Sequence, residues 1–305
     1  MAIISRHMKG VILAAGYGSR FLPVTKTVPK EMLPLIDKPS IDFIIEEFLG
    51  SGINEILVVT SRRKKVLEDY LDREIELELT FRQQGDNGKL DKIPPPEAQI
   101  FFVRQKEMLG TGQALLLARP FIGEEPFVVA YPDDIHLGRV PLSRQLIETY
   151  ERTGCTVLAT IFDPPELQRY GTLAIAEDGL HVKNIVEKAP PGQEPSREVS
   201  IGRYLYTPDF FPLLAEGWKR HGKGEYFHTE ALRALARSGQ VVFKRIEGER
   251  LDTGEPEGFF RSLLVYAQQR PELREVFERF CKEQGRRSGA PERVGKKNLR
   301  QLNQL

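Results

Sequence analysis

The feature that most restricts how this chain can fold is an apolar run that meets a glycine turn near its start. Gly10 to Ala15 (GVILAA) is short and continuous, and it leads straight into Gly16-Tyr17-Gly18-Ser19-Arg20. A strand that is apolar on both faces belongs in the middle of a sheet covered by helices on both sides. From Ser40, the segment SIDFIIEEFLGSG places Ile41, Ile44, Ile45 and Phe48 on one helical face, and Gly50 with Gly52 ends the helix. Ile53 to Thr60 (INEILVVT) is a second apolar run. Strand, helix and strand in that order require parallel pairing through a right-handed crossover. The alternation continues with a strand at Ile100–Gln105, a short helix within Gly110–Ile122, and a strand from Pro126 that ends in Asp133 and Asp134. The expected fold class is α/β, a doubly wound, mostly parallel sheet of Rossmann-like type.

Beyond Cys155 the pattern becomes β-rich (TVLATIF, GTLAIAE, HVKNIVEK, SIGRYLY), which predicts segments that extend the sheet and fold over one end of a ligand site. Asp72 to Pro96 is polar, with Gly85, Gly88 and a triple proline, and reads as an irregular surface excursion. A last amphipathic helix is expected at Glu257–Ala267. The whole divides as one domain over 1–280, with halves of about 8–150 and 151–280. The final stretch, 281–305, carries seven Lys or Arg against two acids and reads as a solvated basic tail.

Composition excludes several functions. The formal net charge of 305 residues is only +1, so no global field attracts nucleic acid or a membrane surface, and an anionic partner must be held by locally placed cations. That favours a small phosphorylated ligand. Cys155 and Cys281 are the only cysteines and lack metal-ligand spacing, which suits a reducing cytoplasm. No apolar run approaches membrane-spanning length. The five histidines form no spaced metal set and are expected in structural or surface roles.

Leu13 to Pro39 (LAAGYGSRFLPVTKTVPKEMLPLIDKP) carries the densest chemical signal. Gly16 and Gly18 let the backbone approach a ligand and present N–H groups to phosphate. Arg20 and Lys30 add the charge that glycines lack. A dinucleotide fingerprint would need a third glycine where Phe21 stands, and no G-K-[ST] follows as a phosphate loop requires. Two glycines after a strand describe no more than a tight turn; Arg20, Pro23, Lys30 and Glu31 in register with them say more. Taken together, the segment resembles the signature of the sugar-nucleotide pyrophosphorylases, and Lys30–Pro34 (KEMLP) is similar to its form in bacterial uridylyltransferases acting on glucose 1-phosphate.

The resemblance spans roughly Lys9 to Phe280. It implies a nucleotide-diphospho-sugar transferase fold, UTP and glucose 1-phosphate as substrates, UDP-glucose and pyrophosphate as products, a Mg²⁺ cofactor, and a homo-oligomer, dimer or tetramer. It further implies nucleotide contacts at Ala14, Ala15, Gly16, Gly18, Glu31, Gln105 and Gly110, the last within Leu109-Gly110-Thr111-Gly112. Asp133 and Asp252 are implied as metal ligands. Arg20, Lys30, Asp133 and Lys188 are implied as the catalytic set. Gly171, Glu187, Lys188 and Gly202 are implied at the sugar. Glu31 stands where thymidylyltransferases generally have glutamine, which points to UTP over dTTP; a thymidylyltransferase and a non-catalytic paralogue are the alternatives. The chain departs from the family's L-T-D-A at His228-Thr229-Glu230-Ala231, where histidine replaces leucine and glutamate replaces aspartate. The implied chemistry needs no protein nucleophile, because the attacking phosphate oxygen is already ionised, and alignment with charge neutralisation suffices.

Overall fold

The computed structural model describes residues 8–287. The first half supplies strands β1 (Lys9–Leu13), β2 (Pro34–Leu35), β3 (Lys38–Pro39), β4 (Glu55–Thr60), β5 (Gln99–Arg104), β6 (Phe127–Ala130) and β7 (Asp134–Leu137). Between them lie helices α1 (Ser40–Gly50), α2 (Lys65–Leu71), α3 (Ile75–Gln84), α4 (Asn87–Leu90) and α5 (Gly110–Ile122). After α6 (Leu142–Thr153), the second half adds β8 (Thr156–Phe162), β9 (Gly171–Ile175), β10 (Val182–Glu187), β11 (Glu198–Tyr206), β12 (Val241–Arg245) and β13 (Glu249–Asp252). Its helices are α7 (Phe210–Arg220), α8 (Thr229–Arg237), α9 (Pro256–Gln269) and α10 (Pro271–Arg287).

Nine strands form one sheet in the order β10-β9-β11-β6-β1-β4-β5, with β8 joined to β11 and β12 to β8. The strands of the first half, β6-β1-β4-β5, are parallel. The second half enters through β11, which runs antiparallel to β6. Alternation along the central strands builds two cores. Val11, Leu57, Val59, Phe127 and Val129 face the layer of α5, α7 and α8. Ile12, Ile56, Val58, Val128 and Ala130 face the layer of α1 and α6. The expected helical face of α1 is the buried one, since Ile41, Ile44, Ile45 and Phe48 are all enclosed. Each such aliphatic or aromatic burial contributes about 1.5–3 kcal/mol.

Parallel pairing has one consequence for function. The carboxyl ends of β1, β4, β5 and β6 share an edge, so the residues just beyond them, Gly16, Lys64, Gln105 and Asp133, are delivered to one side of the molecule, where open α/β sheets bind ligands. The pairing holds to the last residues of these strands: Ala14 N–H donates to Val59 O at 2.8 Å and Gln105 N–H to Thr60 O at 2.8 Å. Two segments differ from the sequence expectation. Residues 72–96 contain α3 and α4, not an irregular loop. Helix α3 leaves Ile75, Leu77 and Leu79 exposed and is held by local means: Glu78 accepts from Arg73 at 2.7 Å and Arg82 at 3.4 Å, and Gly85, at φ 66°, closes its end. Residues 281–287 continue α10, so the expected tail starts later; 288–305 lie outside the described residues.

Candidate active site

A cleft of about 250 Å³ opens at this edge, lined by Leu13, Ala15, Gly16, Lys30, Gln105, Met108, Gly110, Thr111, Ala114, Tyr131, Asp133, Glu225 and Phe227. Gly16 sits at its floor with no atom within 4 Å of the position a Cβ would take. Nothing in the protein's own packing demands a glycine there. Gly18 is different. It is left-handed at φ 66°, and its carbonyl accepts from Thr25 Oγ1 at 2.8 Å, which curls the following residues back so that Lys30 meets the cleft. Ala14 and Ala15 are buried at the end of β1, with Ala15 reaching the cleft wall.

The charged centre is a Lys30–Asp133 pair, Nζ to Oδ2 at 2.5 Å. Burial alone would raise the Asp133 carboxyl, but Lys30 outweighs it and holds the group below the usual carboxylate range. Burial likewise opposes the Lys30 charge, and Asp133 and Glu31 overcome it, so the ammonium is held above its ordinary value. Both groups are ionised at neutral pH. The pair uses one of the three donors that a lysine ammonium carries.

Asp252 reaches this centre through the two-stranded ribbon of β7 and β13, in which Asp134 pairs with Asp252 and Leu251 with Ile135. Thr253 N–H closes the ribbon on Asp133 O at 2.8 Å. A Cβ on Gly254 would stand 3.1 Å from Asp133 Oδ2, 3.2 Å from Asp252 Oδ1 and 3.6 Å from Arg20 Nη1. The missing side chain therefore leaves a space bounded by two carboxylate oxygens and a guanidinium. Arg20 is further tied to this loop through Gly254 O at 3.4 Å. Two hard oxygen donors facing one gap suit Mg²⁺, which takes one or two protein carboxylates and completes its shell with phosphate and water. Among the described residues no group of three or more His, Cys, Asp or Glu side chains could cage a metal alone.

Several residues in the site have partners that sequence reasoning did not foresee. Arg250 Nε donates to Asp134 Oδ1 at 2.7 Å, its Nη1 to Tyr170 Oη at 2.9 Å and its Nη2 to Asp252 Oδ2 at 3.3 Å. It orients the second carboxylate from behind. Arg250 and Asp252 lie two apart on one strand and so share a face, a signal the sequence does contain. His228 is buried, with Nδ1 2.9 Å from Thr111 Oγ1 and 3.1 Å from Tyr131 Oη. Burial pushes its pKa down to about 4, so it is neutral.

Three of the implied residues are engaged by protein partners. Glu31 does not line the cleft. Its side chain is enclosed, and both carboxylate oxygens accept from Lys64 Nζ at 2.8 Å, so it anchors the loop instead of facing a base. Gly202 has no free backbone group: its N–H donates to Asp134 Oδ2 at 2.7 Å and its carbonyl accepts from Tyr131 N–H at 2.9 Å. A Cβ there would lie 2.9 Å from Asp134 Oδ2, so the residue is glycine to seat Asp134. At Gly171 a Cβ would lie 2.9 Å from Glu187 Oε1, and the glycine makes room for that carboxylate.

Of the remaining residues, Gln105 and Gly110 line the cleft, and Glu187 and Lys188 lie outside its lining. Gln105 lines the cleft and donates both amide hydrogens, to Gly110 O at 3.1 Å and Gln113 Oε1 at 2.7 Å, which leaves its oxygen as an acceptor. Gly110, at φ 89°, is held against the Tyr226 backbone, where a Cβ would come within 2.4 Å of the carbonyl oxygen. Burial raises the Glu187 carboxyl, with Arg233 and Lys188 opposing. Lys188 is exposed, and at φ 49° it has a left-handed backbone that non-glycine residues adopt at a cost of about 1–3 kcal/mol, a kind of strain found at functional sites. Its N–H donates to Tyr170 O at 3.0 Å, which fixes the bend.

Comparison with known proteins identifies the family. The family model described as nucleotidyl transferase matches residues 9–269. The chain is 41% identical over 280 residues to UTP–glucose-1-phosphate uridylyltransferase 2 of Staphylococcus saprophyticus, covering 90% of this chain and 96% of that one. It is 42% identical over 273 residues to the UTP–glucose-1-phosphate uridylyltransferase of Bacillus subtilis, covering 88% and 93%. Among solved structures, the UTP-bound UGPase of Acinetobacter baumannii superposes with a TM-score of 0.82 at 30% identity, over 91% of this chain and 99% of that chain.

Proposed function

The chain belongs to the nucleotidyl transferase family, and from that membership we propose that it transfers the uridylyl group of UTP to glucose 1-phosphate, giving UDP-glucose and pyrophosphate. The observation that carries the reading is the convergence of Asp133, Asp252 and Arg20 on the gap left by Gly254, with Lys30 paired to the same Asp133 that lines the cleft. A phosphate oxygen of glucose 1-phosphate attacks the α-phosphorus of UTP, and pyrophosphate leaves in line. Asp133 and Asp252 are proposed to hold Mg²⁺, which when bound neutralises the phosphate oxygens of both substrates. Arg20 and Lys30 place cations against the triphosphate, the turn at Gly16 admits it close to the backbone, and Gln105 offers its oxygen to the imide N–H of a uracil. Glu187 and Lys188 are proposed at the sugar hydroxyls and the sugar phosphate.

With Glu31 enclosed against Lys64, the choice between UTP and dTTP falls to the cleft walls. One methyl group is worth about 1–3 kcal/mol in such a pocket, so dTTP is a poorer substrate, not an excluded one. Initial rates with UTP and dTTP at equal subsaturating concentrations test this: faster turnover of dTTP overturns the uridylyl assignment.

The division into a nucleotide half (about 8–150) and a sugar half (151–280) belongs to the same proposal, and the antiparallel joint of β6 to β11 supports it. Cys155 and Cys281 are free thiols, which supports a cytoplasmic setting. No helix among the described residues is long and apolar enough to cross a membrane. A homo-oligomer is proposed as well, with the exposed Ile75, Leu77 and Leu79 of α3 in its support.

A further inference from the structure

Two bonds single out Tyr170, which lies between the short helical turn at Leu167–Arg169 and β9. Its hydroxyl oxygen accepts from Arg250 Nη1 at 2.9 Å, and its carbonyl accepts from the Lys188 N–H at 3.0 Å. A guanidinium and a backbone amide can only donate, so the polarity of both bonds is fixed. Arg250 is a firm anchor. Its Nε and Nη2 hold the two oxygens of Asp134 at 2.7 and 3.2 Å, and Asp134 Oδ2 accepts in turn from the Gly202 N–H of β11 at 2.7 Å. The same guanidinium reaches Asp252 Oδ2 through Nη2 at 3.3 Å. One planar group, tied to the sheet, therefore touches both the carboxylate proposed for the metal and the residue that holds the bend at Lys188. The neighbouring Arg169 adds a second tie to the same loop, Nη2 to Glu255 Oε1 at 2.6 Å.

We propose that Tyr170 is a positioning residue, a strut that sets the Lys188 turn in fixed register with the ribbon carrying Asp252. This rests on the nucleotidyl transfer reading above, which puts Lys188 on the sugar phosphate. Lys188 follows β10, and in the sheet β9 and β11 stand between β10 and β6, the strand that leads to Asp133. Through the sheet alone, the cation and the carboxylates are linked only by way of two intervening strands. The Arg250–Tyr170 bond joins them directly. The left-handed backbone of Lys188, at φ 49°, persists only where its surroundings hold it, and the Tyr170 carbonyl is one of the groups that do so. A displacement of about 1 Å in a positioned group can cost about a hundredfold in rate, so a tie of this kind acts on the substrate without touching it.

Calorimetric binding of UDP-glucose and of UTP to the full chain, in the presence of a chelator, tests this apart from turnover. Tyr170→Phe removes the hydroxyl and keeps the ring, whose centroid lies 5.3 Å from the Arg250 guanidinium. It should weaken UDP-glucose about fivefold and leave UTP within about twofold, because only UDP-glucose carries the sugar phosphate proposed for Lys188. In a Lys188→Ala background, Tyr170→Phe should cost less than about twofold, since the group it positions is gone. With Mg²⁺ present, Tyr170→Phe should raise the KM for glucose 1-phosphate about fivefold. The Mg²⁺ concentration for half-maximal rate should not change, because Asp134 still holds Arg250 beside Asp252. The proposal is overturned if Tyr170→Phe leaves UDP-glucose affinity at the wild-type value, if UTP weakens as much, or if the loss is undiminished without Lys188. Should Lys188→Ala itself leave UDP-glucose affinity unchanged, the placement of Lys188 in the transfer reading fails and the strut with it. A clear loss in Lys188→Ala beside an unaffected Tyr170→Phe strikes the strut alone.

Discussion

At Gly16 a Cβ would meet no atom within 4 Å, whereas at Gly202 it would stand 2.9 Å from both Asp134 Oδ2 and Tyr131 Cβ. Gly16 lines the cleft and Gly202 is buried beside Asp134 and Tyr131, one from each half of the chain. In the first half, the turn after β1 leaves open space at Gly16. In the second half, Gly202 and Gly171 are filled against by the protein's own carboxylates, Asp134 and Glu187. Glycine thus stands both in open surroundings and in close internal packing, and the proposed reason for it differs between the two: ligand approach at Gly16, room for Asp134 at Gly202.

The largest effect should come from the acid that both halves converge on. Asp133→Ala should lower turnover about a thousandfold or more, since it removes the carboxylate shared by Lys30 and the proposed metal gap. Stopped assays of pyrophosphate release check this; a rate within tenfold of wild type would remove Asp133 from the mechanism. Next, Lys188→Ala should raise the KM for glucose 1-phosphate more than tenfold through loss of one charge-assisted contact, with the KM for UTP within twofold. Equal changes in the two would contradict its placement on the sugar phosphate.

The glycine contrast gives a smaller, paired effect. Gly202→Ala should destabilise the fold by about 1–3 kcal/mol through overpacking against Asp134 and Tyr131. Gly16→Ala should leave stability within about 0.5 kcal/mol and raise the KM for UTP instead. Denaturant titration beside kinetics separates the two, and a destabilised Gly16→Ala with normal UTP binding would break the comparison.

His228 supplies the last predicted change, a loss of stability in acid. Its folded pKa of about 4 lies below the 6.5 of an exposed imidazole, so the unfolded chain takes up a proton first as pH falls. Stability should then drop between pH 6.5 and 4, by about 2 kcal/mol at pH 5 from this residue alone. His228→Leu should flatten that slope; an unchanged slope would show that the ring is not held neutral.

Much of the frame was legible because its signals are local. GVILAA, the α1 face and FVVAY each state their burial within a few residues, and parallel pairing then places Gly16, Gln105 and Asp133 on one edge. The α3 helix was missed because ion pairs at Arg73, Glu78 and Arg82 hold it, with no apolar stripe to betray it. The Glu31–Lys64 pair was not legible for a related reason: Lys64 lies beyond a different strand, and no periodicity links the two. The same holds for His228 with Thr111, 117 residues apart, and for Asp252, which depends on the register of β7 with β13. Resemblance named Asp252, but only the ribbon explains how it faces Asp133.

The most direct test of the account is to follow phosphorus signals while the purified chain acts on UTP and glucose 1-phosphate with Mg²⁺. The account predicts UDP-glucose and pyrophosphate in equal amounts, formed by the wild-type chain and not by Asp133→Ala, and no product when the metal is chelated. Cleavage of UTP without UDP-glucose, or product formation that ignores both the metal and Asp133, would contradict it.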